Sequence, residues 1–163
     1  NDTVPQALAL LAPEERPVVT HQSGEKQIDA LRANYDKAGV QARLTPFIDD
    51  TAAAFADADL VVCRAGASTV TEIAAVGAAA LFVPFPHAVD DHQTTNARFL
   101  VGAGGAWLVP QPEFTPQALA DRLRAVTRPQ LMEMATRAKQ MEKTQAVTAV
   151  VMACEQLAKG TPA

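Results

Sequence analysis

The chain has 163 residues, of which 48% are hydrophobic and 20% charged, and a formal net charge of −4. That is enough for one domain, residues 1–163, with its own core, and it leaves no electrostatic footprint for nucleic acid. No apolar run approaches the ~18–20 residues of a membrane span, and no charged segment followed by an apolar one marks a signal peptide.

The first element, residues 4–11, reads as a helix with one apolar face. Asn1 stands where a natural start would have Met, so the expectation is that a further N-terminal part precedes it. Residues 17–21 form a short apolar run that ends in the polar turn "HQSG". Nothing there fixes His21 against Ser23, so nucleophilic catalysis has no support. A helix over 25–38 carries Ile28, Leu31 and Tyr35 at helical spacing, with Gly39 as its stop. Residues 40–45 alternate like a strand, and "PFIDD" turns the chain. Asp50 is a good N-cap for a short helix through Phe55 and Ala56.

Residues 60–63 are the next strand and 69–76 the next helix, ended by Gly77. Residues 80–83 are again strand, stopped by Pro84-Phe85-Pro86. Residues 92–101 read as helix and 107–109 as a last strand. Thr115-Pro116 opens a helix with an N-cap followed by Pro. Helices over 130–142 and 145–157 close the chain, and the tail 159–163 is expected to be loose. Short apolar strands separated by helices specify an α/β fold, a Rossmann-like parallel sheet with helices on both faces. Cys63 and Cys154 lie in no CxxC pair, so both read as reduced packing residues of a cytoplasmic protein.

In such folds ligands bind beyond the carboxyl ends of the strands. The loops to inspect are therefore 21–24, 46–50, 64–69 and 85–93. In the third, Gly66 and Ala67 let an anion approach a helix start, whose N–H groups are unpaired and whose dipole is positive. Glu72 follows in what reads as the first turn, where it can accept from both hydroxyls of a ribose. The plainer alternative is a capping box, Thr69-x-x-Glu72, and spacing alone favours it.

The segment "PFPHAVDDHQTTNA" offers His87, Asp90, Asp91 and His92 to a metal, but at no standard spacing, so a polar loop is preferred. Asp91 suits an N-cap, and Gln93 offers a donor and an acceptor to sugar hydroxyls. Phe47 and Ile48 read as core on their own terms; a flat base packing on Phe47 is the functional alternative.

Taken together and in order, "HQSG", "FIDD", "ADLVVCRAGASTVTEIAAVGAAALFVPFP" and "DDHQTTNA" resemble the C-terminal half of the MurG family. These are peripheral bacterial glycosyltransferases of the GT-B class that add N-acetylglucosamine to lipid-linked muramoyl-pentapeptide in peptidoglycan synthesis. The resemblance spans nearly all of residues 1–157. It implies a domain that binds UDP-N-acetylglucosamine, with no metal or other cofactor. The backbone of Ile48 would read uracil beside Phe47. Ala67, Ser68, Thr69, Val70, Thr71 and Glu72 would hold the diphosphate and ribose, with Glu72 on the ribose diol. Gln93, with His92 beside it, would read the sugar hydroxyls. Ser68 stands where some relatives have a larger apolar residue, a change of small consequence if backbone groups do the binding.

The family also has a strand and a second glycine-rich loop before the position of Asn1, and an N-terminal acceptor domain. The resemblance therefore implies a donor-binding half whose first central strand is absent, with the catalytic base in the other domain. The whole enzyme would sit at the cytoplasmic face of the inner membrane. Other UDP-sugar enzymes of this architecture and a non-catalytic nucleotide-binding module are the alternatives.

Overall fold

The computed structural model describes residues 1–86, 91–142, 151–152 and 154–156. His87, Asp90 and the tail 159–163 lie outside the described residues. So does most of the helix expected over 145–157, whose described positions 151–152 and 154–156 are helical.

Among the described residues, five parallel strands alternate with helices: α1 (Thr3–Ala9), β1 (Thr20–Gln22), α2 (Ile28–Ala38), β2 (Arg43–Thr45), α3 (Thr51–Asp57), β3 (Val61–Cys63), α4 (Ala67–Val76), β4 (Ala80–Phe82), α5 (His92–Val101), β5 (Ala106–Leu108), α6 (Pro116–Ala125) and α7 (Arg128–Gln140). The helix ends follow from single residues. Asp50 accepts the N–H of Ala53 at 2.8 Å and opens α3. Thr115 caps α6 through the N–H of Ala118, with Pro116 behind it. Gly39 and Gly77 end α2 and α4 in the left-handed conformation, at φ 63° and 79°. Thr127 and Gln130 form a capping box, so α7 begins earlier than expected.

The strands form two ladders. β1 pairs with β2, and β3, β4 and β5 pair in that order, all parallel. Among the described residues the two ladders share no hydrogen bond, so β1 and β3 each have one unpaired edge. The expected single parallel sheet is thus present as two parts.

Burial follows this division. β4 is buried along its whole length. Ala80 and Phe82 face Val70, Ile73, Ala97 and Leu100 of α4 and α5. Leu81 points the other way, to Val83, Val109 and Trp107. A central parallel strand covered on both faces reads in sequence as an uninterrupted apolar run. On β3, which has one unpaired edge among the described residues, Val62 is by contrast 38% exposed.

The first ladder has a separate core, Ala7, Leu8, Leu31, Tyr35 and Val40, closed by Leu119 and Ala120 of α6. Burial there pushes the Tyr35 hydroxyl up to about 12. His21 Nδ1 lies 3.0 Å from the Tyr35 hydroxyl and its Nε2 lies 3.2 Å from Asn1 Oδ1. Burial first, and the amino-terminal ammonium second, lower its pKa from 6.5 to about 4. The neutral ring is therefore the folded form, and the unfolded chain binds more protons between pH 6.5 and 4. Stability from His21 is complete above about pH 6.5 and is lost as the pH falls to about 4. Thermal melts across that window should show a steeper fall in Tm for the wild type than for His21→Gln. Parallel slopes would contradict this assignment.

Cys63 is half-buried against the α4 side of the sheet, and burial raises its thiol to about 12. Cys154 is exposed. Both are free, but only Cys63 is a packing residue, so the expectation for Cys154 is corrected.

Candidate functional site

The helix start at α4 differs from its sequence reading. Gly66 is the N-cap, with no side-chain cap, and the helix begins at Ala67. Thr69 and Glu72 are therefore its third and sixth residues, and the capping box does not form. Glu72 lies in the second turn, one step beyond the first turn expected. Strand β3 ends at Cys63, and three residues carry the chain into the helix. Gly66 and Ala67 are small enough to keep the approach to the helix start open.

Among the described residues the N–H groups of Ala67, Ser68 and Thr69 have no partner, as helix geometry requires of a first turn without a cap. Ala67, Ser68, Thr71, Glu72 and Ala75 line one side of an open groove of about 410 Å³. The helical period puts 67, 71 and 75 in one row and 68 and 72 in the next. Val70 turns inward and is 4% exposed, so its side chain belongs to the core. Glu72 is exposed and makes no hydrogen bond among the described residues. An anion over the helix start, with hydroxyls within reach of a carboxylate along the same groove, is what this arrangement accommodates.

Phe47 is 64% exposed, which overturns its reading as core. Thr45 Oγ1 donates to the Phe47 carbonyl at 2.7 Å and fixes the turn after β2. The N–H and C=O of Ile48 have no partner among the described residues, so both stay available to a ligand edge. Asp50 leads from this turn into α3, which packs on α4.

Gln93 is the second residue of α5, and its Oε1 accepts the N–H of Phe85 at 2.9 Å. Asp91 holds the N-cap position at φ 49°, a strained conformation for a residue with a Cβ, and its side chain makes no cap bond. The cap expected of Asp91 is thus a backbone position only. Among the described residues no group of His, Cys, Asp and Glu side chains is placed to hold a metal ion.

Three residues beside the candidate site were given no role in the sequence analysis: Arg64, Phe85 and Asn96. Arg64 Nη1 donates to the carbonyls of Val83 and Pro84 at 2.9 and 3.0 Å, with its guanidinium over the Phe85 ring. Asn96 Nδ2 donates to the Ala65 carbonyl at 3.1 Å. The available signal was "VPFP": two prolines without N–H groups leave strand-end carbonyls needing a donor from elsewhere.

Comparison with known proteins bears on this geometry. The family model described as "Glycosyltransferase family 28 C-terminal domain" matches residues 1–150. The chain is 69% identical over 159 residues to the UDP-N-acetylglucosamine--N-acetylmuramyl-(pentapeptide) pyrophosphoryl-undecaprenol N-acetylglucosamine transferase of Polaromonas sp. (strain JS666), covering 98% of this chain and 41% of that one. It is 61% identical to the enzyme of the same name from Azoarcus sp. (strain BH72), with all of this chain and 46% of that one covered. The chain thus spans less than half the length of these relatives. Among solved structures, Acinetobacter baumannii MurG superposes with a TM-score of 0.85 at 42% identity, over 94% of this chain and 46% of that one. The glycosyltransferase VinC, solved in complex with dTDP, shares the fold at a TM-score of 0.69 and 21% identity, over 95% of this chain and 37% of that one.

Proposed function

Since the chain belongs to the glycosyltransferase family 28 C-terminal domain family, we propose that it is the donor-binding part of an inverting N-acetylglucosaminyltransferase of peptidoglycan synthesis. Its donor is UDP-N-acetylglucosamine. The acceptor is lipid-linked N-acetylmuramoyl-pentapeptide, bound through a separate acceptor domain of the whole enzyme. The observation that carries this reading is the uncapped start of α4 opening onto a groove with the unpartnered carboxylate of Glu72.

The chemistry follows from that site. UDP is a good leaving group if the negative charge growing on its diphosphate is stabilised. The N–H groups of Ala67 to Thr69 and the positive end of the α4 dipole stand ready to do this without reorganising. Glu72 takes the ribose hydroxyls and fixes the nucleotide in register. The Phe47 ring and the Ile48 backbone receive uracil, and Gln93, next to His92, reads the sugar. The acceptor 4-hydroxyl attacks the anomeric carbon directly and inverts it, and a general base takes its proton. No residue of the described site is placed for that role, so we assign the base to the acceptor domain.

No helix among the described residues is long and apolar enough to cross a membrane. With a lipid-linked acceptor, the whole enzyme on this reading is held peripherally, at the cytoplasmic face of the inner membrane.

Titration calorimetry of this chain with UDP, UDP-N-acetylglucosamine and UDP-glucose tests the reading. UDP-N-acetylglucosamine should bind more tightly than UDP-glucose. Equal affinities would remove the sugar assignment while leaving the nucleotide site standing.

A further inference from the structure

β3 and β4 pair up to the bond from the Val83 N–H to the Cys63 carbonyl at 2.9 Å. Beyond that point the ladder does not continue: the next donor that this segment turns toward β3, the Phe85 N–H, goes to the Gln93 side chain instead. The Arg64 side chain takes over at this position. A single nitrogen, Nη1, bridges the two successive carbonyls of Val83 and Pro84. The guanidinium carbon lies 5.5 Å from the centre of the Phe85 ring. Between the two prolines the Phe85 N–H is the one remaining backbone donor, and it goes to Gln93 Oε1. Asn96, one helical turn beyond Gln93, ties α5 back to the Ala65 carbonyl beside Arg64.

These bonds form a closed circuit that joins the loop after β3 to the segment after β4 and the start of α5. One loop leads to the α4 start, where the diphosphate is proposed to lie; the other carries Gln93, which is proposed to read the sugar. Arg64 is the cation nearest in sequence to the α4 start, yet its head is turned onto the two carbonyls just after β4 and the Phe85 ring. A guanidinium spent this way supports the scaffold under the ligand.

We infer that Arg64 is a positioning residue, supported by Asn96, that clamps the Pro84–Phe85 backbone and through it the Gln93 side chain onto the α4 loop. On this inference Gln93 keeps its oxygen on Phe85 and presents its amide N–H groups to the donor sugar. The part concerning sugar selectivity rests on the functional reading above; the clamp itself does not.

The test uses this chain as wild type, Arg64→Met, Arg64→Lys and Asn96→Ser, with two independent readouts. In amide hydrogen exchange, Arg64→Met should speed exchange at Phe85 by about tenfold or more while Leu81 and Phe82 keep their protection. Arg64→Lys, which keeps a cationic donor but loses the planar guanidinium over Phe85, should fall between, and Asn96→Ser should move Phe85 in the same direction. Unchanged exchange at Phe85, or a uniform rise across all strands, overturns the clamp. In calorimetry, Arg64→Met should hold UDP affinity within about twofold and cut the advantage of UDP-N-acetylglucosamine over UDP by about tenfold. An equal loss for UDP would put Arg64 in direct contact with the diphosphate and overturn the positioning role. If the wild type binds no UDP, the functional reading fails, and the exchange data still decide the clamp.

Discussion

Replacing Glu72 by Gln should weaken UDP binding by about 1.5–3 kcal/mol, or roughly 10- to 150-fold, with no change in Tm. The size follows from the group removed. A carboxylate receiving two hydroxyls makes charge-assisted hydrogen bonds, and the amide that replaces it presents one acceptor and a donor facing another donor. The silence in stability follows from the fold. Glu72 is exposed and unpartnered among the described residues, and it caps nothing, since α4 starts at Ala67. Had the capping box existed, the same substitution would have retained most of it, and Glu72→Ala would have lowered Tm. Calorimetry with UDP and a thermal melt of each variant separate these cases. Unchanged UDP affinity in Glu72→Gln would remove the ribose role.

Phe82→Ala should destabilise the chain by about 3–5 kcal/mol, the range for truncating a fully buried aromatic side chain. Phe82 is 0% exposed at the carboxyl end of the strand buried along its whole length. It packs with Val70, Ile73, Ala97 and Leu100, the residues that seat α4 and α5. Val62→Thr, on the neighbouring strand, should shift stability by no more than about 0.5 kcal/mol, because Val62 is 38% exposed. Denaturant unfolding of the two variants makes the comparison. Equal costs would mean that the β3–β4–β5 ladder is not the core that positions the site.

What the sequence told and withheld can be traced to particular residues. Strong local signals held: Asp50, Gly39, Gly77 and Thr115-Pro116 each end or open a helix as read. Strand limits moved where pairing depends on a partner strand. The run at 17–21 became Thr20–Gln22, since Pro17 has no N–H and Val18 is fully exposed. The ladder there begins with the Arg43 N–H donating to the Val19 carbonyl.

In the candidate site, spacing and composition gave a misleading local account of two of the loops. Thr69 and Glu72 have the spacing of a capping box, yet the helix already starts at Ala67, two residues earlier, with Gly66 as its N-cap. Phe47 has the composition of core and is exposed, which only the tertiary packing decides. Within "GAGG", residues 102–105, one glycine has a role that only the packing reveals. An added Cβ at Gly105 would meet the Ala138 backbone at 2.8 Å, so α7 requires a glycine there. That contact joins residues distant in the chain, and no local pattern could announce it.

The central claim is that a nucleoside diphosphate sits on the start of α4. The most direct measurement is the backbone amide spectrum of this chain during titration with UDP. The account predicts saturable shifts that are largest at Ala67, Ser68 and Thr69, extend to Glu72 and Ile48, and give the same dissociation constant as calorimetry. Saturable binding that leaves these amides unmoved, or moves a different set, would contradict it.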